Sequence, residues 1–199
     1  MNRKSPHTDP RILRTRQLLK DAFIELLQEM DIEKITVHRL TERATINRVT
    51  FYLHYRDIPD MLEKMAEDMV EDLSSVLRQT SVHQHAAEAA DWGILVALLE
   101  YIAKHAAFYK TVLASRRVPI FRERLLLLTE SIITKLEEKG SESPVLAAGV
   151  QKDVLVWYVS SALIGTIVAW LRSDMPYSPS CLARQISLLH HRQLNVDLN

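Results

Sequence analysis

The sequence predicts an all-α fold, and three observations carry that prediction. Its 199 residues include only 4 glycines and 7 prolines. That is about half the usual share of turn-forming residues, too few for the turns of a many-stranded sandwich or barrel. Apolar residues make up 47% of the chain, enough to build a core. They recur at i, i+3 and i+4 over long stretches, the spacing of a helix with one buried stripe. No unbroken apolar run approaches the roughly eighteen residues of a membrane span, so none is expected.

The first helix is expected to start at Pro10, capped by Thr8 or Asp9, with proline in its first turn. Its apolar stripe runs through Leu18, Leu19, Ala22, Phe23, Leu26, Leu27 and Met30. Arg11, Arg14 and Arg16 crowd its first turns, the unfavourable end of the helix dipole, and call for a ligand or solvation. Thr36 caps a short second helix from Val37 to about Ala44, with Leu40 facing inward. After Thr45 and Ile46, Asn47 caps a third helix reaching about His54, the layout of a helix-turn-helix. Asp57-Ile58-Pro59-Asp60 starts a long fourth helix, whose stripe of Leu62, Met65, Met69, Leu73 and Leu77 extends to about Arg78. Residues 79–87 read as a polar connection. Further helices are expected over 88–103, 106–114, 119–139, 150–173 and 179–192.

Charge divides the chain in two. Lys plus Arg and Asp plus Glu both number 25, which argues against a surface built wholly to neutralise phosphates. Residues 1–56 carry 11 basic against 7 acidic side chains, and residues 57–199 carry 14 against 18. A basic head (1–56) on an acidic body (57–199) implies that only the head meets a polyanion. The single cysteine, Cys181, excludes a disulfide framework and a cysteine-rich zinc site. No apolar leader follows the charged first residues, so a reducing cytoplasm is the expected location.

The third helix is too polar and aromatic for a core helix: Arg48, Thr50, Tyr52 and His54 alternate with Val49, Phe51 and Tyr55. The stretch from Ile35 to Tyr55, and above all Thr50-Phe51-Tyr52-Leu53-His54-Tyr55 followed by a new helix start, resembles the DNA-binding signature of TetR-type transcriptional regulators. The resemblance is strong over about residues 10–75. It implies an N-terminal three-helix head, joined by a long helix to a C-terminal ligand-binding and dimerisation bundle.

A helix-turn-helix lays its second helix in the major groove, with the N-terminal residues at base edges. Those residues here are Asn47, Arg48, Val49 and Thr50. Arg48 is the candidate for a bidentate contact to guanine O6 and N7. Tyr52 and His54 are expected at the DNA backbone, and Thr36 presents helix N-terminal amides to a phosphate. Two positions depart from the family pattern. Glycine usually occupies the turn where Thr45 stands, and a β-branched residue is strained at positive φ. Lysine often starts the fourth helix where Ile58 stands, so Arg56 is expected to make that phosphate contact. Phe51 and Tyr55 are assigned to anchoring the third helix.

In the body, Trp92, Tyr101, Phe108, Tyr109, Phe121, Trp157, Tyr158 and Trp170 are spread over several helices. Met65, Met69, Tyr101, Phe108, Phe121, Trp157 and Tyr158 are the candidates for an apolar effector pocket. Ordinary core packing is the alternative for each. Ser161, Gly165 and Ala169 recur every four residues beside Val154, Trp157, Ile164 and Val168. With Leu182, Ile186 and Leu189 of the last helix, this stripe resembles the family's dimer-forming pair; packing within one chain is the alternative. His83/His85 and His190/His191 lack the helical i, i+4 spacing of a zinc pair, so no metal is expected. No phosphate loop, nucleophile motif or paired carboxylates are present, so neither an enzyme nor a cofactor is expected.

The predicted function is a homodimeric repressor on a palindromic double-stranded DNA operator, released by a small apolar or aromatic effector. The alternative is a helical protein–protein interaction module without DNA binding.

Overall fold

The structure is a computed structural model that describes residues 9–82, 87–114, 118–139, 144–147 and 149–194. Every regular element among the described residues is helical, as the composition requires. The first compact unit comprises residues 1–65 and the second residues 66–199. The division falls inside the fourth helix, whereas the charge pattern put it at the start of that helix.

In the first unit, α1 (Pro10–Glu29) is capped by Asp9, whose carboxylate accepts a hydrogen bond from Arg11 N at 2.9 Å. Its buried face is Leu19, Ala22, Phe23, Ile24, Leu26 and Leu27. Leu18, expected in that stripe, is 39% exposed. Ile24 takes the inward place instead, so the buried face is turned relative to the predicted one. A 3₁₀ turn, Ile32–Lys34, links α1 to α2 (Val37–Arg43), which packs on α1. Thr36 Oγ1 caps α2 by accepting from Arg39 N at 3.3 Å. Asn47 Oδ1 caps α3 (Arg48–Tyr52) by accepting from Val49 N at 2.8 Å. Leu40, Phe51 and Tyr55 are all buried and join α2 and α3 to this core. Arg43 spans α2 and α1, donating to Glu29 Oε1 and Oε2 at 2.8 and 2.7 Å and to Glu25 at 3.2 Å.

The α2–α3 turn shows how a glycine-poor chain ends a helix. Ile46 N donates to Thr41 O at 3.0 Å and Thr45 N to Glu42 O at 3.1 Å. This pair of bonds is the Schellman closure, which places one residue in the left-handed region. That residue is Thr45, at φ 55°. The turn keeps the geometry that glycine would adopt without strain, and threonine bears it.

The fourth helix, α4 (Ile58–Val82), begins where Asp57 Oδ1 accepts from Asp60 N at 2.8 Å. It extends beyond the expected end at Arg78. The second unit continues with α5 (Ala87–Lys104), α6 (Ala106–Tyr109), α7 (Pro119–Lys139), α8 (Pro144–Ala147), α9 (Lys152–Arg172) and α10 (Pro179–Leu194). α5 packs against α10, and α7 against α9. Residues 106–114 were expected as one helix. After Tyr109 the backbone instead widens into a π-helical segment, Lys110–Ala114, which packs on α7 and α9. Val112, Leu113, Phe121, Leu125, Ile167 and Leu171 fill this part of the core.

The α9–α10 corner repeats the closure seen after α2. Met175 N donates to Trp170 O at 2.9 Å and Asp174 N to Leu171 O at 3.3 Å, with Asp174 and Met175 at φ 61° and 55°. An ion pair from Lys110 to Asp174 and a bond from Trp170 Nε1 to Tyr177 O at 2.9 Å hold the corner in place. By length and composition α9 is apolar enough to cross a membrane, contrary to the sequence expectation. Val154–Leu171 carries no charge; the serines, glycine and threonine only disguise its apolar character. Leu155, Val156, Ser160, Ile164, Ile167, Val168, Trp170 and Leu171 are buried within the chain, so one side of α9 packs into the bundle while the other is exposed.

Candidate nucleic-acid interface

The head presents α3 as a short helix with a buried root and an exposed remainder. Phe51 has no solvent exposure, whereas Val49 is 67% and Tyr52 48% exposed. Asn47 and Arg48 are also exposed, and Thr50 is half-buried. Asn47, Arg48 and Val49 are thus exposed at the capped start of α3, and Tyr52 is exposed at its end. Thr36 lies exposed at the N-terminus of α2, with its hydroxyl engaged as the cap.

Arg48 does not extend freely into solvent. Its Nη2 donates to Tyr52 Oη at 3.0 Å, and its Cζ lies 5.5 Å from the Tyr52 ring centroid. Tyr52, expected at the DNA backbone, is thus also a partner of the expected base reader. Arg56, expected to contact phosphate, is exposed but committed to Asp60. Its backbone N donates to Asp60 Oδ2 at 3.0 Å, and its Nε lies 3.4 Å from Oδ1. Lys64 Nζ also reaches Asp60 Oδ2 at 3.0 Å and His54 O at 3.0 Å. The hydrogen bond from the Arg56 backbone, with the Lys64 ammonium, holds the Asp60 carboxyl below its usual range.

His54 is half-buried, and its imidazole titrates below the ordinary histidine value. Desolvation is the main cause, followed by the positive charges of Arg16 and Lys64. Lys64 and Arg16 thus belong to the cationic surroundings of His54, and neither was among the site candidates. The signal for Lys64 was present as an i, i+4 pair with Asp60. Arg16 lies far from His54 in sequence, so only tertiary contact reveals the pairing. Its Nε is buried without a hydrogen-bond partner.

The structure separates the seven pocket candidates. Met65 lies in the first unit and the other six in the second. Met65, Met69 and Phe121 are buried, and Tyr101 and Phe108 are half-buried. Trp157 and Tyr158 are 57% and 54% exposed, so they project from α9 instead of lining an interior pocket. Of the aromatic residues named in the sequence, Tyr101, Phe108, Tyr109 and Phe121 do cluster. Their ring centroids are 6.4 Å apart for Tyr101–Tyr109, 5.2 Å for Phe108–Tyr109 and 5.7 Å for Phe108–Phe121. Burial, reinforced by Asp72, pushes the Tyr101 hydroxyl up to about 12, and Tyr109 is also raised, chiefly by burial. A surface groove of about 650 Å³ runs between α7 and α9, with Leu127, Thr134, Val156 and Trp157 among its lining residues.

The interface candidates divide by helix face. Ser161, Gly165 and Ala169 are exposed along α9, and Leu189 of α10 is 63% exposed. Val168 and Leu182 are buried within the chain, at 6% each, and Ile186 is half-buried. Trp157 and Tyr158 therefore share the outward side of α9 with the small-residue stripe, while Val168 faces the core. The period of 3.6 residues puts positions 161, 165 and 169 on one face and 164, 167, 168 and 171 on another. His83 and His85 lie outside the described residues, as do the side chains of Trp92, His190 and His191.

Comparison with known proteins agrees with this architecture. Residues 91–192 match the family model for the transcriptional regulator C-terminal region of the TetR class. An uncharacterized HTH-type transcriptional regulator of Bacillus subtilis strain 168, YxbF, is 22% identical over 174 residues, or 84% of this chain. The chain spans 42% of that relative's length. A TetR transcriptional regulator from Streptococcus agalactiae 2603V is 26% identical, with a TM-score of 0.66 over 91% of this chain and 96% of that one. A putative TetR-family regulator from Syntrophomonas wolfei shares the fold, with a TM-score of 0.71 at 13% identity over 93% and 98% of the two chains. The matched model covers more than half of the sequence and the capped α2–turn–α3 head precedes it, so the chain belongs to the TetR family of DNA-binding transcriptional regulators.

Proposed function

We propose that the protein acts as a homodimer that reads a palindromic operator with α3 of each head and represses transcription until a small effector releases it. The observation that carries this reading is the outward side of α9 and α10. Ser161, Gly165 and Ala169 allow close helix approach, and Val154, Trp157, Tyr158, Leu188 and Leu189 are each about half exposed or more. A patch of that kind on a soluble bundle calls for a partner, and a second copy of the same face satisfies the two-fold symmetry common among oligomers. Two symmetric heads then demand an operator with two half-sites, centred about 34–36 Å apart or a multiple of that.

Arg48 is the base reader in this proposal. Asn47, Val49 and Thr50 lie beside it, and Thr36, Tyr52 and His54 meet the backbone, whereas Arg56 joins them only by giving up its contact with Asp60. The effector is a largely apolar molecule held near Tyr101, Phe108 and Phe121, with Asp72 and Tyr101 as its polar contacts. It lowers DNA affinity by favouring a body conformation that DNA disfavours, and DNA must lower effector affinity by the same factor. A helical module that does not bind DNA is set aside by membership in a family of DNA-binding regulators.

The test combines light scattering with selection from a randomised duplex pool. The expected mass is twice the 22.9 kDa of one chain. The selected duplexes should hold inverted repeats, and their affinity should fall steeply as salt rises. A monomer at micromolar concentration, or selected sites without inverted symmetry, would refute the dimeric reading.

A further inference from the structure

We infer that Tyr52 is a positioning residue that sets sequence specificity, holding the Arg48 guanidinium where its fork meets a base edge; this rests on the reading of Arg48 as the base contact. The two residues open and close α3, four positions apart, and therefore share one side of the helix. Two separate interactions join them: the bond from Nη2 to Oη at 3.0 Å, and the cation lying 5.5 Å from the ring centroid. The ring is itself placed. It stands edge-on to Phe51 at 5.4 Å and 85°, and Phe51 is fully buried. A line of contacts thus runs from the core of the head through Phe51 and Tyr52 to an exposed guanidinium.

The neighbouring arginines mark the difference. Arg43 and Arg56 are held by carboxylates, which neutralise them, and Arg39 donates to the Lys34 carbonyl. Arg48 is held by a neutral phenol on the exposed helix, so it keeps its full charge for a ligand. The bond to Tyr52 uses one of the five guanidinium N–H groups. A hydrogen on each terminal nitrogen stays available, the pair needed for guanine O6 and N7. Tyr52 Oη accepts in this bond, so its own proton is free to donate to a phosphate oxygen. One side chain then links the contact that sets register to the contact that reads sequence.

The experiment uses the full-length protein and a duplex enriched from a randomised pool, with single-base variants at every position of one half-site. Fluorescence anisotropy gives affinities for wild type, Arg48→Ala, Tyr52→Phe and the double variant at one salt concentration. Arg48→Ala identifies the base that Arg48 reads, as the position where discrimination is lost. Tyr52→Phe keeps the ring and its packing. It should lower discrimination at that same base by about three- to tenfold and leave the other positions unchanged. On the Arg48→Ala background it should change discrimination by less than about twofold. Equal weakening of all duplexes by Tyr52→Phe would overturn the inference, since Tyr52 would then be a phosphate contact alone. So would an effect on discrimination that persists without Arg48. Discrimination unaltered by Arg48→Ala at every position would instead refute the base-reading role of Arg48, and the inference with it.

Discussion

Thr45 is where local chemistry and tertiary requirement disagree most openly, and replacing it with glycine tests the conflict. Left-handed backbone brings a Cβ too close to the following carbonyl, at a penalty of about 1–2 kcal/mol. Thr45 occupies this region at φ 55°, and its side chain is exposed, so packing gives little in return. Glycine removes the clash but surrenders about 0.5–1 kcal/mol of extra conformational entropy on folding. Taking the middle of each range, the difference predicts that Thr45→Gly stabilises the protein by about 0.7 kcal/mol. For a chain of this size that corresponds to roughly 1–3 °C in Tm. Calorimetry and urea unfolding at one fixed protomer concentration would measure it, the fixed concentration being needed if subunits associate. Thr45→Ala keeps the Cβ and should recover much less. Because glycine adopts the same φ, the turn and DNA affinity should be preserved. A glycine variant no more stable than wild type, with an unchanged urea m-value, would show that the turn is unstrained and the reasoning wrong.

Other consequences follow from burial and charge. Phe51→Ala should destabilise the head by about 3–5 kcal/mol, the usual loss for truncating a buried aromatic residue, and abolish operator binding. Tryptic digestion should then cut the head before the body. Gly165→Arg meets nothing within 4 Å of the added Cβ, so a single chain should tolerate it. Its mass by light scattering should halve if that face joins two copies, and an unchanged mass would place the interface elsewhere. His54 has a folded pKa below its ordinary value of 6.5, so the unfolded chain binds the proton first. Its contribution to stability is therefore present above about pH 6.5 and is lost as pH falls through the lower folded pKa. His54→Gln should flatten that part of the stability–pH profile, a change that urea titrations between about pH 5 and 7 would detect.

Much of the head was legible because its signals are local. Caps, a proline at a first turn and apolar spacing act within four residues, so Asp9, Thr36 and Asn47 marked helix starts that the structure retains. Phe51 and Tyr55 could be assigned to anchoring because large aromatic residues on so short a helix have few other places to pack. The stripe of α1 was less secure. Leu18 and Ile24 are both apolar neighbours of the true face, and only the placement of α2 and α3 decides which of them turns inward. The π-helical widening at Lys110–Ala114 likewise lacks a local marker, for it is accommodated by packing against α7 and α9.

What the sequence determined by itself is the class of fold, the order of most helices, the helix-turn-helix and the family. The first three follow from periodicity and capping chemistry read at short range, and the family from the resemblance of the Ile35–Tyr55 run to a known DNA-binding signature. Tertiary structure alone decided which side of each body helix faces water. On α9 an aromatic residue fits either the core or an outer face, so Trp157 and Tyr158 could be placed only once the rest of the bundle covered the face of Leu155, Ile164, Ile167 and Leu171. It also decided which charges are occupied. The commitment of Arg43 to Glu25 and Glu29 of α1 is such a case, whereas Arg56 and Lys64 with Asp60, and Arg48 with Tyr52, pair over four residues and are local in sequence. Composition counts those charges without saying which of them remain available to a ligand.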